Sequence, residues 1–542
     1  MPPTVAQRIV DGLALGGVTH AFAVPGESYL PVLDALHGEG AIRLVTCRHE
    51  ASATHMAEAA ARLSARCSVA MVTRGPGATQ AAIGLHTAQQ DSTPLLLLVG
   101  QVGTDMLGRE AFQEIDYGQM FGGIAKRVFE LTVPERTPEI VASALALAQS
   151  GRPGPVVLVC PEDLLSKPCG SPAVRPTLPM PPGIADTVPL AERLAVAERP
   201  ILLLGGPGWG ASECALAQRL AEAQGLPVTT SWRRKDRFDT HHPLYVGELG
   251  LGANPRLVAK VKEADLILAI GPLLGENATQ GYTLFSAETA GRVLVHIHPE
   301  AGALTRTWQP RLAIQAAAAP ALAALADLPA GPPRSAWVAE LAALHAEWKK
   351  PTTVERGANP AEIMIHICAE LPGDAIVTNG AGNFAAWVHR FHQPTVCGTQ
   401  LAPVSGAMGY GIPAAIAASI VQPDREVVAV AGDGDALMAI AELATIPHEG
   451  ATPVIVILDN SQYGTIRMHQ AQTFPGRPSG TALTNPDFAA LARAFGLHAE
   501  TVRTSAEFPA AFARARAHRP ALIHVVQDPQ EIAPGRRLKA GA

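Results

Sequence analysis

Short, almost purely apolar runs alternate along this chain with Ala-rich stretches whose apolar positions recur every three or four residues. That alternation predicts parallel strands, each followed by an amphipathic helix. In the first 165 residues the strand-like runs lie at residues 21–24, 69–72, 94–99 and 156–159, with a further one at 44–50 leading into an Ala-rich helix from Ala51 to Ala65. The proline-rich stretch 167–183 cannot hold a helix and reads as a linker. The pattern then restarts at 200–206, 265–271 and 292–298, each run ending in glycine or histidine. A Pro/Gly cluster at 328–334 and a connecting helix around 337–349 precede a last block from residue 356. The expectation is an α/β chain of three doubly wound parallel-sheet domains, at residues 1–165, 186–328 and 356–542. The Gly205-Gly206-Pro207-Gly208 turn breaks the spacing of a dinucleotide fingerprint at Pro207 and Trp209, and reads as a plain strand-to-helix turn.

Length agrees with this division, since 542 residues at roughly 150 per domain make three or four. The net charge of −6 offers no basic footprint for nucleic acid or an anionic membrane, so neither is expected as a partner. Seven scattered cysteines, with no Cys-x-x-Cys pair, read as reduced thiols and argue against a zinc site. Residues 1–15 lack the apolar core of a signal peptide, and no run approaches the ~20 apolar residues that span a bilayer. A cytoplasmic location is the expectation.

The candidate chemistry sits in the last block. Apolar residues run into Gly432-Asp433-Gly434, a helix-like stretch spans 436–446, and a second apolar run from Pro453 ends at Asp459-Asn460. Asp433 and Asn460 would then close neighbouring parallel strands, at the edge where open α/β sheets bind ligands. The glycines let backbone approach a phosphate, and the helix N-terminus offers it unpaired N–H groups. Asp433 and Asn460 supply hard oxygen donors of the kind Mg²⁺ accepts beside phosphate and water. A bare Gly-Asp-Gly ends many strands without function; the Asn closing the next buried strand sets this instance apart.

That pair resembles the signature of thiamine-diphosphate enzymes, and other segments resemble the acetolactate synthase-like branch of that family over essentially the whole chain. The run from Arg48 to Arg62 looks like the family's glutamate helix, which implies that Glu50 hydrogen-bonds N1′ of the aminopyrimidine. Thr73 to Ala78 looks like its glycine turn, Gly151 to Val156 like the end of its pyrimidine-binding domain, and Gly406 to Pro413 like its cofactor-bending loop. The resemblance implies thiamine diphosphate and Mg²⁺ as cofactors, bound between a pyrimidine-binding and a diphosphate-binding domain that flank a central Rossmann-like one. Implied cofactor contacts are Pro25, Gly26, Glu50, Thr73, Gly75, Asn379, Gly380, Gln400, Leu401, Gly406, Met408 as an apolar wedge, Gly432, Asp433, Gly434, Asp435, Asn460, Tyr463, Gly464, Thr465 and Ile466. The implied metal ligands are Asp433, Asn460 and the main-chain carbonyl of Gln462.

On the substrate side, the segment from Glu110 to Asp116 followed by Lys126 resembles the carboligase pattern, with Phe112, Gln113 and Lys126 as catalytic candidates beside Glu50. The adjacent histidines of simple 2-keto acid decarboxylases are absent between Leu95 and Lys126. Two departures matter. Pro272-Leu273-Leu274-Gly275-Glu276 replaces the Arg-Phe-Asp-Asp-Arg run of FAD-containing synthases, which argues against FAD while leaving an ADP-like ligand compatible with the glycine turns. Thr465, Ile466 and His469 stand where the synthases carry Met, Val and Trp, so the acceptor pocket is reshaped. The resemblance implies decarboxylation of a small, pyruvate-like 2-keto acid with ligation to a carbonyl acceptor, by a homodimer or homotetramer. The alternative is a decarboxylase or C–C lyase that releases an aldehyde. A non-catalytic paralogue is disfavoured because Glu50, Met408, Asp433 and Asn460 are all intact.

Overall fold

The computed structural model describes residues 2–37 and 40–538. They build three six-stranded sheets, every strand parallel to its neighbours. Across the first sheet the strands are Arg43–Thr46, His20–Ala23, Ser68–Val72, Leu95–Gln101, Pro155–Pro161 and Val128–Glu130. Across the third they are Gln400–Leu401, Ile376–Asn379, Val427–Gly432, Val454–Asp459, Ala521–Val526 and His498–Val502. Numbered within each domain, both follow the order 2-1-3-4-6-5. The middle sheet differs: Leu312–Gln315, Leu294–His298, Leu266–Ile270, Pro200–Leu204, Val228–Thr230 and Tyr245–Glu248 give the doubly wound dinucleotide-fold order. Strands such as Leu95–Gln101 and Pro155–Pro161 are buried at every residue, as parallel strands covered on both faces must be.

Most expected runs became strands within a residue or two. Residues 166–187 hold no helix and only one bridge, from Pro168 to Thr4, in line with a linker. Two expectations need correction. The strand expected over 44–50 ends at Thr46, and Glu50 itself opens the helix Glu50–Ser64, capped by His49 Nδ1 accepting from Ala51 N–H at 3.1 Å. The helix expected over 436–446 is broken into Asp433–Leu437, a 3₁₀ turn Ile440–Ala444 and Thr445–Glu449. The break lets the buried Glu442 carboxylate accept from the Arg48 and His49 N–H groups, both at 3.0 Å, and from Thr445 Oγ1 at 2.6 Å. A tertiary partner outweighed helix continuity. No helix of the described residues is long and apolar enough to cross a membrane, and all seven cysteines are free.

The outer two domains share one hydrophobic core, which runs from Phe22, Met56 and Leu97 through Tyr410, Ile416 and Ile457. Helices Glu50–Ser64 and Gly411–Val421 meet within it. Where they meet, Glu58 is fully buried and accepts from Tyr410 Oη at 2.5 Å and Thr93 Oγ1 at 2.7 Å. The middle domain joins at Asp91, whose side chain has no exposure. Arg234 Nη2 lies 2.5 Å from it, Arg62 Nη1 3.7 Å, and Val404 N–H donates to its second oxygen at 2.9 Å. Breaking one member of a buried charge set leaves the others unpaired. Asp91→Ala is therefore expected to destabilise the chain by roughly 3–5 kcal/mol, read as a lower unfolding midpoint in scanning calorimetry; an unchanged midpoint would mean the two guanidinium groups find other partners.

Candidate active site

The pairing of Gly432 with Leu458 brings strands Val427–Gly432 and Val454–Asp459 to a common carboxyl edge. Asp433 leaves the first and Asn460 the second, side by side on the wall of a cavity of about 230 Å³. Glycine is required around them by close approach. A Cβ on Gly434 would lie 2.6 Å from the Tyr463 ring, one on Gly432 2.7 Å from Phe384, and one on Gly380 2.1 Å from Asp435 Oδ1. Met408 reaches the same wall from a loop held open by Gly406 and Gly409, whose φ values of 72° and 77° suit glycine.

Asp435 ties this edge together. One of its oxygens accepts from Ala381 N–H at 3.1 Å and Gly409 N–H at 2.9 Å, so it fixes the turn after Asn379 and the Met408 loop at once. Burial pushes its carboxyl up to about 7, against the pull of those two donors. Burial likewise lifts Asp433 to about 6, and the neighbouring charge of Asp459 adds to the rise. A buried carboxylate is stabilised by a cation, and Asn460 and Gln462 line the same cavity, the Gln462 N–H donating to Asn460 Oδ1 at 3.3 Å, so oxygen donors of the kind Mg²⁺ takes are gathered there. Gln462 Nε2 is bound to the Pro529 carbonyl, so its side chain is engaged elsewhere. Thr465 Oγ1 donates to Asn383 Oδ1 at 2.9 Å, and both residues, with Tyr463, Gly464 and Ile466, line the cavity. These residues fit a diphosphate held through a divalent cation.

Asn379, Gly380, Gln400 and Leu401 lie off that wall. Asn379 Nδ2 donates to the Gly380 carbonyl at 2.8 Å, and its Oδ1 is buried without a partner. Gln400 accepts from Lys235 N–H at 2.9 Å through Oε1 and from Arg62 at 3.1 Å through its carbonyl, which makes it a contact of the domain junction.

The N-terminal candidates converge on the first sheet's carboxyl edge. Gly26 lies against Thr73, where a Cβ would come within 2.5 Å, and Thr73 Oγ1 meets Ser28 Oγ at 2.9 Å. A Cβ on Gly77 would sit 3.3 Å from Glu50 Oε1, so the glycine turn after Thr73 runs past the carboxylate. Pro25 precedes Gly26 on the same loop. The Gly75 N–H donates to Tyr117 Oη at 3.0 Å, and the Gln113 carbonyl closes over Gly75. Gln113 takes a left-handed backbone, φ 65°, and its Oε1 accepts from Arg74 Nε at 3.3 Å. Phe112 is 75% exposed beside it.

Lys126 is not brought into this group. Its ammonium donates to the carbonyls of Leu147, Ser150 and Arg152 at 2.5, 2.8 and 3.0 Å, which occupies all three of its donors and caps the end of helix Thr137–Gln149. Burial lowers its pKa to about 8. Its spacing from Phe112 matches the carboligase pattern, but the chain turns into strand Val128–Glu130 immediately after it and carries it to the helix end. None of the N-terminal candidates lines the Asp433 cavity of the same chain.

Sequence reasoning missed Asn485 and Arg74. Asn485 Nδ2 bridges Asp433 and Asp459, yet in sequence Asn485-Pro486-Asp487 reads only as a helix start, with Asp487 as the cap. Arg74 joins Gln113 to Glu27 and Glu162, at 2.8 and 3.1 Å. A second cavity, of about 520 Å³, opens where the middle domain meets the other two. Its wall includes Arg152, Arg234, Arg306 and Trp308, with Leu273 and Leu274 of the segment that departs from the FAD-containing pattern.

Three family models match the chain: "Thiamine pyrophosphate enzyme, N-terminal TPP binding domain" over residues 3–120, the corresponding "central domain" over 189–325, and the "C-terminal TPP binding domain" over 380–525. The chain is 33% identical over 520 residues to the acetolactate synthase large subunit of Parasynechococcus marenigrum, covering 92% of this chain and 83% of that one. To the large subunit of acetolactate synthase isozyme 2 of Escherichia coli it is 31% identical over 545 residues, covering 97% and 96%. The solved structure of a thiamine diphosphate-dependent 4-hydroxybenzoylformate decarboxylase of Rhodococcus jostii superposes with a TM-score of 0.83 at 25% identity, covering 97% of this chain and 99% of that one.

Removing the Asp433 carboxylate takes away the one charged donor of the proposed metal set. Asp433→Ala is expected to abolish Mg²⁺-dependent binding of thiamine diphosphate in calorimetric titration; an unchanged affinity would refute its assignment as a ligand.

Proposed function

The chain belongs to the thiamine pyrophosphate enzyme family and is a thiamine-diphosphate-dependent enzyme of the acetolactate synthase-like kind; from that premise we propose that it removes carbon dioxide from a small 2-keto acid such as pyruvate and joins the remaining acyl unit to an acceptor carbonyl. When bound, thiamine diphosphate supplies the nucleophilic carbon and the electron sink for that cleavage. Asp433, Asn460 and the Gln462 carbonyl would hold Mg²⁺ and thereby the diphosphate end of the cofactor. Met408 supports the cofactor as an apolar wedge. Glu50, with Pro25, Gly26, Thr73 and Gly75 around it, would hold the aminopyrimidine end, its carboxyl carrying the proton shared with the ring. Phe112 and Gln113 flank the reacting keto group. Decarboxylation with carboligation moves no net electrons, so flavin has no redox part in it.

The observation that carries carboligation is the stretch from Leu95 to Lys126, which supplies Phe112 and Gln113 and contains no histidine. Imidazole is the side chain best tuned to hand over a proton near neutral pH, and its absence there favours capture of the acyl unit by a second carbonyl. The second reading, aldehyde release, has the likeness to the Rhodococcus decarboxylase in its favour. Product analysis with pyruvate tests the choice. Acetolactate or acetoin is expected to dominate, and Gln113→His to shift the product toward acetaldehyde; acetaldehyde as the main product of the unaltered enzyme would favour the second reading.

Because Glu50 and its neighbours line no shared cavity with Asp433 in one chain, the proposal includes a homo-oligomer. In a homodimer the N-terminal edge of one protomer closes the metal cavity of its partner. Exposed apolar side chains at both edges support this: Phe112 on one, and Met438 and Ile466, 54% and 53% exposed, on the other. Sedimentation is expected to find at least a dimer carrying the activity, and a fully active monomer at micromolar concentration would sink the idea.

A further inference from the structure

Asp433 directly follows strand Val427–Gly432 and Asp459 ends its parallel neighbour, so two carboxylates stand at one sheet edge where their charges oppose each other. Between them lies Asn485, whose Nδ2 donates at 2.7 Å to Asp433 Oδ2 and at 2.8 Å to Asp459 Oδ1. Asp459 is anchored in turn: the Ser461 N–H donates to Oδ1 at 2.8 Å, and Oδ2 meets His524 Nε2 at 2.9 Å. Asn485 Oδ1 is buried and has no partner. The amide is therefore held in place by what its nitrogen donates.

We propose that Asn485 is a positioning residue for the divalent cation, setting the Asp433 carboxylate by engaging Oδ2 from behind while its second N–H screens Asp459. The inference deepens the reading in which Asp433 holds Mg²⁺, and rests on it. An Asn amide suits the place because it brings two N–H donors and no charge. A lysine would pair with Asp433 and compete with the cation, a serine has one donor to offer, and an aspartate has none when ionised. With Oδ2 occupied, Asp433 meets the cation through its other oxygen, which matches the single oxygen Mg²⁺ takes from each carboxylate in its tight octahedron. Groups that hold a metal ligand in this way typically change metal affinity by about 10–100-fold when removed.

The test uses the full chain with thiamine diphosphate present, titrated with Mn²⁺ at mildly alkaline pH, free Mn²⁺ being followed by electron paramagnetic resonance. Asn485→Ala is expected to raise the Mn²⁺ Kd about 10–100-fold while the unfolding midpoint of the cofactor-free chain stays near that of the parent. Asn485→Asp, nearly identical in shape, is expected to weaken Mn²⁺ as well, because both donors are lost. A Kd unchanged in Asn485→Ala overturns the proposal, as does tighter binding in Asn485→Asp, which would make residue 485 a direct metal donor. Should Asn485→Ala fail to fold, Asn485→Ser carries the test with one donor left, and unchanged binding there overturns the proposal equally. Asp433→Ala in the same titration separates the two failures. If it leaves Mn²⁺ binding intact, the metal reading falls and takes the Asn485 proposal with it; if it abolishes binding while the Asn485 variants bind normally, only the role of Asn485 falls.

Discussion

The arrangement of all three domains depends on one buried negative charge. Asp91 ends helix Gly75–Asp91 with its side chain fully out of solvent, where an unpaired carboxylate would cost several kcal/mol. Each domain supplies part of the compensation: Arg62 from the first, Arg234 from the second, and the Val404 N–H from the third. Val404 lies on the loop that goes on to Gly406 and Met408. The charge that docks the domains therefore also fixes one end of the loop carrying the proposed apolar wedge.

The middle domain contributes no residue to the Asp433 cavity, yet it shapes the cavity's surroundings through the residue beside Arg234. Arg233 is fully buried and takes a left-handed backbone, φ 63°. Its guanidinium donates to the Gly380 carbonyl at 3.0 Å and to the Pro403 carbonyl, and stacks 4.3 Å from the Trp232 ring. Burial lowers its pKa to about 10, which leaves it charged near neutrality. Two loops of the third domain are joined by a cation from the second, while the Asp435 carboxyl joins Ala381 and Gly409 from within the domain. A domain that lines none of the cavity can still decide how well it is formed.

What was legible in the sequence was local. Asp433 and Asn460 each come directly after a wholly buried strand, so apolar periodicity placed them at the sheet edge without knowledge of the pairing. Glu50 was singled out by resemblance to the family's glutamate helix, since a lone Glu at a helix start reads locally as a solvated dipole partner. The strand order was not legible, since periodicity says which residues form strands and nothing about which crossovers skip a neighbour. Val128–Glu130 escaped because it is short and only partly buried, with none of the continuous apolar pattern of the interior strands. Asn485 and Arg74 act through partners brought close only by the fold. Lys126 is the reverse case: its spacing from Phe112 suggested a shared site, but a helix end with free carbonyls claimed the ammonium. A spacing rule holds only while nothing nearer satisfies the side chain.

The shared 2-1-3-4-6-5 order of the outer sheets gives a physical reason for the division of labour between them. Each offers a carboxyl edge with a glycine turn, so each can approach a ligand closely, but they are furnished differently. The first presents Glu50 beside Gly77, a carboxyl next to bare backbone, which suits a neutral ring that exchanges a proton. The third presents Asp433 and Asp459 with amide and main-chain oxygens, which suits a cation and its phosphates. Within one chain the two sheets spend their adjoining helices on each other, Glu50–Ser64 against Gly411–Val421, in a core that admits no ligand. The contact that joins the two domains thus leaves Glu50 and Asp433 on separate edges, which is why the proposed function calls on a second copy to bring a ring site and a diphosphate site together.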